Sequence, residues 1–213
     1  VIIDERLVTY INSLDTGNTE ILDTIEKEAL DTYVPIIRKE MQGFLKLLLA
    51  MKRPARILEV GTAVGFSAIL MAEYDPVECE ITTIENYEKR IPIARENFKR
   101  AGKEHQITLL EGDATEILKE LTKPYDFIFM DAAKGQYIHF MPDILRLLKP
   151  EGLLVSDNVL QDGDIIESHF IVTRRNRTIH KRMREYLYAL THSEELVTTV
   201  LPIGDGVTVS VRK

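Results

Sequence analysis

The chain has 213 residues, 45% of them hydrophobic and 29% charged, a length that supports one sizeable core and a composition that excludes a disordered chain. No apolar run approaches the roughly 20 residues that span a bilayer, no secretory leader pattern opens the sequence, and a single cysteine, Cys79, excludes an intrachain disulfide framework or a cysteine metal site. A net charge of -7 argues against nucleic-acid binding over the whole surface, but the charge is uneven: residues 1–31 hold eight acids against Arg6 and Lys27, whereas residues 173–184 (TRRNRTIHKRMR) hold six Arg or Lys and no acid. A cytoplasmic single-domain protein over residues 1–213 is expected, with no membrane contact.

Apolar residues at helical spacing predict three N-terminal helices: Leu7, Ile11 and Leu14; then Ile21, Leu22 and Ile25; then Met41, Phe44, Leu45, Leu48 and Leu49. Pro35 separates the second from the third. From Arg56 the pattern changes to short β-branched runs, each followed by a helical stretch: RILEVG, ITTIE, ITLLEGD, YDFIFMD and GLLVSDN. Five such alternations predict an α/β protein with a parallel sheet and right-handed crossovers. Regularity lapses through LQDGDIIESHF; then Ile179, Met183, Leu187 and Leu190 mark one face of a helix whose other face is basic. EELVTTVLPI, a GDG turn and VTVSVRK end the chain as an antiparallel hairpin.

ILEVGTAVGFSA, residues 57–68, sets Gly61 and Gly65 between a strand and a helix, where backbone without Cβ lets a nucleotide-type ligand approach. Glu85 closes the next strand 24 positions after Gly61, where a carboxylate can accept both ribose hydroxyls. The third glycine of a pyrophosphate-binding turn is missing, and Glu59 inside the motif would repel a pyrophosphate while suiting a cation. Together these favour S-adenosylmethionine (SAM) over a dinucleotide. Asp113, after the third strand, can accept from the adenine amine or cap the helix that follows it.

Asp131 closes the fourth strand and Asp157-Asn158 the fifth, so three oxygen donors gather at the carboxyl ends of neighbouring strands. Such a set without Cys or His suits Mg²⁺. Lys134, three residues after Asp131, stands beside it as the candidate base, with Asp131 counted among the catalytic residues as well. The five histidines lack ligand spacing and are given no role.

The ordered set ILEVGTAVGFSA, ITTIE, EGDA, FIFMDAAKGQY, VSDNVL and LPIGDGVTVS resembles the metal-dependent O-methyltransferases that include catechol and caffeoyl-CoA O-methyltransferases. The resemblance implies the Rossmann-like class I methyltransferase fold: a mostly parallel seven-stranded sheet with an antiparallel C-terminal strand, helices on both faces, and extra N-terminal helices over residues 1–52 as lid and interface elements. It implies Mg²⁺ on Asp131, Asp157 and Asn158, Lys134 as base, and cofactor contacts from Ile37 (in the lid-like VPIIRK), Glu59, Gly61, Thr62, Ser67, Glu85, Asp113, Ala114 and Asp131. It also implies a homodimer. Within the family, the basic helix, DAAKGQY and LPIGDG are most similar to the branch that methylates 5-hydroxyuridine at the tRNA wobble position. That branch implies phosphate contacts from Arg174, Arg175, Arg177, Lys181, Arg182 and Arg184 to an anticodon loop; a small-molecule catechol-type acceptor is the alternative. Tyr137, Phe170, Tyr186 and Tyr188 are the aromatic candidates for base stacking, but they mostly read as core or rim residues. Asp205 in the GDG turn is a candidate for approaching the substrate.

Overall fold

A computed structural model describes residues 3–168 and 170–213; Val1, Ile2 and His169, the last one of the five histidines, lie outside the described residues. Three helices come first, α1 (Glu5–Ser13), α2 (Glu20–Asp31) and α3 (Lys39–Lys52). Strands and helices then alternate as β1 (Arg56–Val60), α4 (Phe66–Tyr74), β2 (Glu80–Glu85), α5 (Ile91–Arg100), β3 (Ile107–Glu111), α6 (Ala114–Glu120), β4 (Tyr125–Met130), α7 (Tyr137–Leu147) and β5 (Leu148–Ser156). The chain ends with α8 (Arg177–Thr191), β6 (Leu196–Leu201) and β7 (Val207–Arg212).

The sheet order is β3-β2-β1-β4-β5-β7-β6. β7 runs antiparallel to both neighbours, and all other pairings are parallel, as expected for this fold. Because both faces are covered, the central strands read as nearly unbroken apolar runs. Alternate residues still divide between two cores. Ile57, Phe127, Phe129 and Val155 pack with Leu22, Leu45 and Ile69 of α2, α3 and α4. Leu58, Val60, Ile128, Met130 and Leu154 pack with Leu118, Ile144 and Met183 of α6, α7 and α8. Cys79 is buried in the first core, and that burial pushes its thiol up to about 12, consistent with an inert residue.

The order of crossovers reverses between β1 and β4, which places the glycine turn after β1 directly beside Asp131 after β4. Open α/β sheets bind ligands at this switch point. α1 forms where its apolar spacing predicts, with Asp4 accepting from the Arg6 N–H as its N-cap, but it contributes no buried residue. Leu7, Tyr10, Ile11 and Leu14 all stay exposed. No helix among the described residues is long and apolar enough to cross a membrane.

Candidate active site

A cavity of about 930 Å³ opens over the carboxyl ends of the central strands. One half is bordered by Ile37, Gly61, Glu85, Asp113 and Ala114, the other by Asp131, Lys134, Asp157, Asn158 and Asp205. Residues spread from position 37 to position 205 thus meet in one space, Asp131 at the boundary between the halves.

In the first half, Gly61 adopts φ +104°, and a Cβ there would lie 2.0 Å from the Asp131 carbonyl oxygen. Only glycine lets β1 and β4 end so close together. Glu85 is fixed by three backbone donors: Ala63 N–H to Oε2 (2.8 Å), and Asn86 N–H (3.0 Å) and Tyr87 N–H (2.8 Å) to Oε1. Asp113 borders the cavity, and its side chain accepts from the Thr115 N–H at 2.7 Å as the cap of α6.

Glu59, Thr62 and Ser67 are placed differently from the contact set expected of them. All three are buried and none borders the cavity. Glu59 lies beneath the glycine turn, where the hydroxyls of Ser67 and Thr83 each donate to its carboxylate at 2.5 Å. Thr62 and Thr83 share a hydroxyl contact at 2.6 Å. These side chains shape the turn from below.

Burial pushes the Glu59 carboxyl up to about 7, against the lowering effect of its two hydroxyl donors. The folded value lies above the ordinary 4.5 of the unfolded chain. Its contribution to stability is therefore fully present below about pH 4.5 and is lost as pH rises through 7. Glu59→Gln removes that loss. Thermal unfolding of the ligand-free variant at pH 8 is expected ~5 °C above the unsubstituted protein, with little difference at pH 4.5. A variant less stable at both pH values would show that the hydroxyl contacts, not the desolvated charge, dominate.

In the second half, half-buried Asp131 and buried Asp157 lie close enough to repel each other. Burial, first, lifts Asp131 to about 6 and Asp157 to about 7; the charge of Asp131 adds to the rise at Asp157, while Lys134 opposes both. Asn158, at φ +58°, follows directly, and its N–H donates to Asp157 Oδ1 at 2.7 Å. Among the described residues no three His, Cys, Asp or Glu cluster as a metal site; the third oxygen donor here is an amide. Two mutually repelling carboxylates shielded from solvent to different degrees, with a neighbouring amide, fit a hard divalent cation. Lys134 begins a 3-10 turn, Lys134–Gln136, on the wall of the same half.

Tyr137 takes the core position that it mostly reads as in the sequence. It is fully buried, its hydroxyl accepts from the Ala132 N–H (3.1 Å), and the carbonyls of Met130 (3.1 Å) and Asp157 (3.2 Å) lie within reach as acceptors. It ties the ends of β4 and β5 beneath both carboxylates. Tyr186 is equally buried, sharing a 2.7 Å contact with Ser156 Oγ, so neither tyrosine is available to stack on a base. Phe170 and Tyr188 are exposed, Tyr188 stacked on His192.

The basic segment reaches the cavity rim. Ile179 packs toward Gly135, and Arg182 donates to the Gly135 carbonyl at 3.1 Å. Most of its cations are engaged: Arg177 with the carbonyls of Val172 and Phe170, Arg184 with that of Ile165, Lys181 with Glu185 at 3.7 Å. Among the described residues Arg174 and Arg175 make no side-chain hydrogen bond or ion pair and are exposed. Arg38, which lies in the lid-like VPIIRK but was not itself singled out in the sequence, also borders the cavity.

A family model described as O-methyltransferase matches residues 12–213. A catechol O-methyltransferase of Niastella koreensis is 37% identical over 130 residues, which is 59% of this chain and 59% of that protein's own length. A structure from Staphylococcus aureus, provisionally assigned as a caffeoyl-CoA O-methyltransferase, superposes with a TM-score of 0.90 at 31% identity, covering 99% of this chain and 100% of that one. A Podospora anserina methyltransferase with S-adenosylhomocysteine (SAH) bound superposes with a TM-score of 0.87 at 27% identity, covering 98% and 94%. The chain belongs to the O-methyltransferase family.

Proposed function

We propose that the protein transfers the methyl group of SAM to one of two adjacent oxygens on an acceptor ring, with Mg²⁺ held by Asp131, Asp157 and Asn158. The observation that carries this reading is one cavity whose lining brings the strand-end carboxylate Glu85 together with Asp131, Asp157 and Lys134. The SAH in the Podospora relative supports the cofactor. When bound, SAM and Mg²⁺ supply the electrophilic methyl and the Lewis acidity that makes a hydroxyl acidic. Glu85 would orient the ribose hydroxyls, and Asp113 would accept from the adenine amine. Asp131 and Asp157 would hold the cation, and Asn158 would add a neutral oxygen. Lys134 Nζ would take the proton that the acceptor hydroxyl gives up on methylation.

For the acceptor, the names of the relatives, catechol and caffeoyl-CoA O-methyltransferase, fit a small catechol-type molecule better than a nucleic acid. A second reading, 5-hydroxyuridine in a tRNA anticodon loop, is favoured by the packing of the basic helix against the 134–136 turn at the rim. Both acceptors present two neighbouring oxygens to a cation. Parallel incubations with SAM, Mg²⁺ and either a free catechol or tRNA bearing 5-hydroxyuridine distinguish them. Catechol turnover that is indifferent to Arg174→Ala/Arg175→Ala supports the small-molecule reading. Formation of 5-methoxyuridine that falls ~10-fold in that double variant supports the tRNA reading; methylation of neither would refute the proposal.

A further inference from the structure

Arg38 closes the segment between α2 and α3 across the cavity. Ile36 and Ile37 border the cavity just before it, and Ile37 is buried, its carbonyl accepting from Gln42 Nε2 at 3.1 Å. From the start of α3 the Arg38 guanidinium spans to two carboxylates on other elements. Nη2 lies 2.6 Å from Asp205 Oδ1 in the β6–β7 turn and 3.4 Å from Asp162 Oδ1 in the segment after β5. Asp205 Oδ1 is buried and accepts no hydrogen bond of good geometry, so the attraction to Arg38 is ionic.

The far end of this tie is itself fixed. Leu160 N–H donates to the Asp205 carbonyl (2.9 Å) and Val159 N–H to the Gly206 carbonyl (3.0 Å), which fastens the turn to the residues immediately after Asn158. Gly206 sits so close to Leu160 that a Cβ would lie 2.2 Å from its Cγ. Asp162, at φ +53°, brings a second negative charge beside Asp205. Without a cation between them the two carboxylates repel, and the 34–38 segment loses its ionic link to the opposite wall.

We infer that Arg38 is a positioning residue whose ion pairs with Asp205 and Asp162 hold residues 34–38 shut over the cofactor half of the cavity. Nothing in this role requires contact with the reacting atoms. It acts on how long the cofactor stays, by pinning the segment that covers it to the turn braced behind Asn158. The inference rests on the reading that this half of the cavity takes SAM.

The test uses SAH without added metal, measured by titration calorimetry and by stopped-flow release. Arg38→Gln and Asp205→Asn are each expected to weaken SAH binding ~10-fold, mainly through faster release, since the Asp205 end of the pair is largely shielded from water. Arg38→Lys, which keeps the charge but not the fork, is expected to fall between. The double variant should lose no more than either single one, because each removes the same link. Raising salt should speed release from the unsubstituted protein more than from Arg38→Gln. SAH affinity of folded Arg38→Gln within twofold of the unsubstituted protein, or additive losses in the double variant, would overturn the inference. Failure of the unsubstituted protein to bind SAH at all would overturn the cofactor reading and this inference with it.

Discussion

Gly61→Ala is expected to lower the thermal midpoint by ~5–15 °C and to leave little SAH binding or methyl transfer. Two costs combine at this position. A Cβ would sit 2.0 Å from the Asp131 carbonyl oxygen and 2.7 Å from its carbon, and overpacking of this kind costs ~1–3 kcal/mol. The backbone at φ +104° adds ~1–2 kcal/mol for any residue with a Cβ. Relief by moving Asp131 is closed off. Its N–H donates to the Val60 carbonyl at 3.0 Å, and Val60 pairs with Met130 in the β1–β4 register. A shift of the Asp131 backbone would therefore strain both strand ends and carry its carboxylate away from Asp157. Calorimetric unfolding and SAH titration measure the two effects. A Gly61→Ala protein with unchanged midpoint and affinity would show that the turn has room the structure does not display.

How much of this could be read without coordinates depended on distance along the chain. The five parallel strands were legible because each is short, apolar and β-branched and is bounded by a helix. The carboxylates Glu85, Asp131 and Asp157 were legible because each stands at a strand end, where a parallel sheet delivers its ligand groups. The buried acid Glu59 was harder to place. It lies inside the glycine motif, but the direction of its side chain follows from β-strand alternation, and its partner Thr83 is its Cα neighbour across β1 and β2. That pairing becomes visible only once the strand register is known. Tyr137 belongs to the DAAKGQY run, and its spacing from Asp131 was the only available signal. An aromatic there can serve as a stacking platform but mostly reads as core, and its burial agrees with the core reading. VPIIRK and Asp205 were each legible as candidates, but the Arg38–Asp205 pairing was not, because the partners are far apart in sequence and meet only through the closure of the sheet by β7. The apolar face of α1 shows the converse: its period specifies a helix, but the period does not say what covers it.

Asp157→Asn separates holding the cation from holding the fold. The Asp157 N–H donates to the Met130 carbonyl, its carbonyl can accept from the Tyr137 hydroxyl, and its Oδ1 accepts from the Asn158 N–H. An asparagine can keep all three contacts while losing the charge. Removing the charge of buried Asp157, which is repelled by half-buried Asp131, should leave the metal-free midpoint at pH 8 unchanged or higher. In the unsubstituted protein Mg²⁺ at about 100 times its dissociation constant should add ~2.7 kcal/mol of stability, and hence ~5–10 °C. That gain should vanish in Asp157→Asn, and methyl transfer should fall ~10²–10³-fold with the loss of several kcal/mol of charge stabilisation. Lys134→Ala provides the contrast. It removes the base without touching the carboxylates, so the Mg²⁺-dependent gain should persist while turnover falls ~10²–10⁴-fold. If Asp157→Asn retained the full Mg²⁺-dependent gain, the cation would bind elsewhere, and the carboxylate pair would need another explanation. If Lys134→Ala kept its turnover, Lys134 would be an ordinary solvated lysine at the start of its turn, and the proton would have to leave by another group.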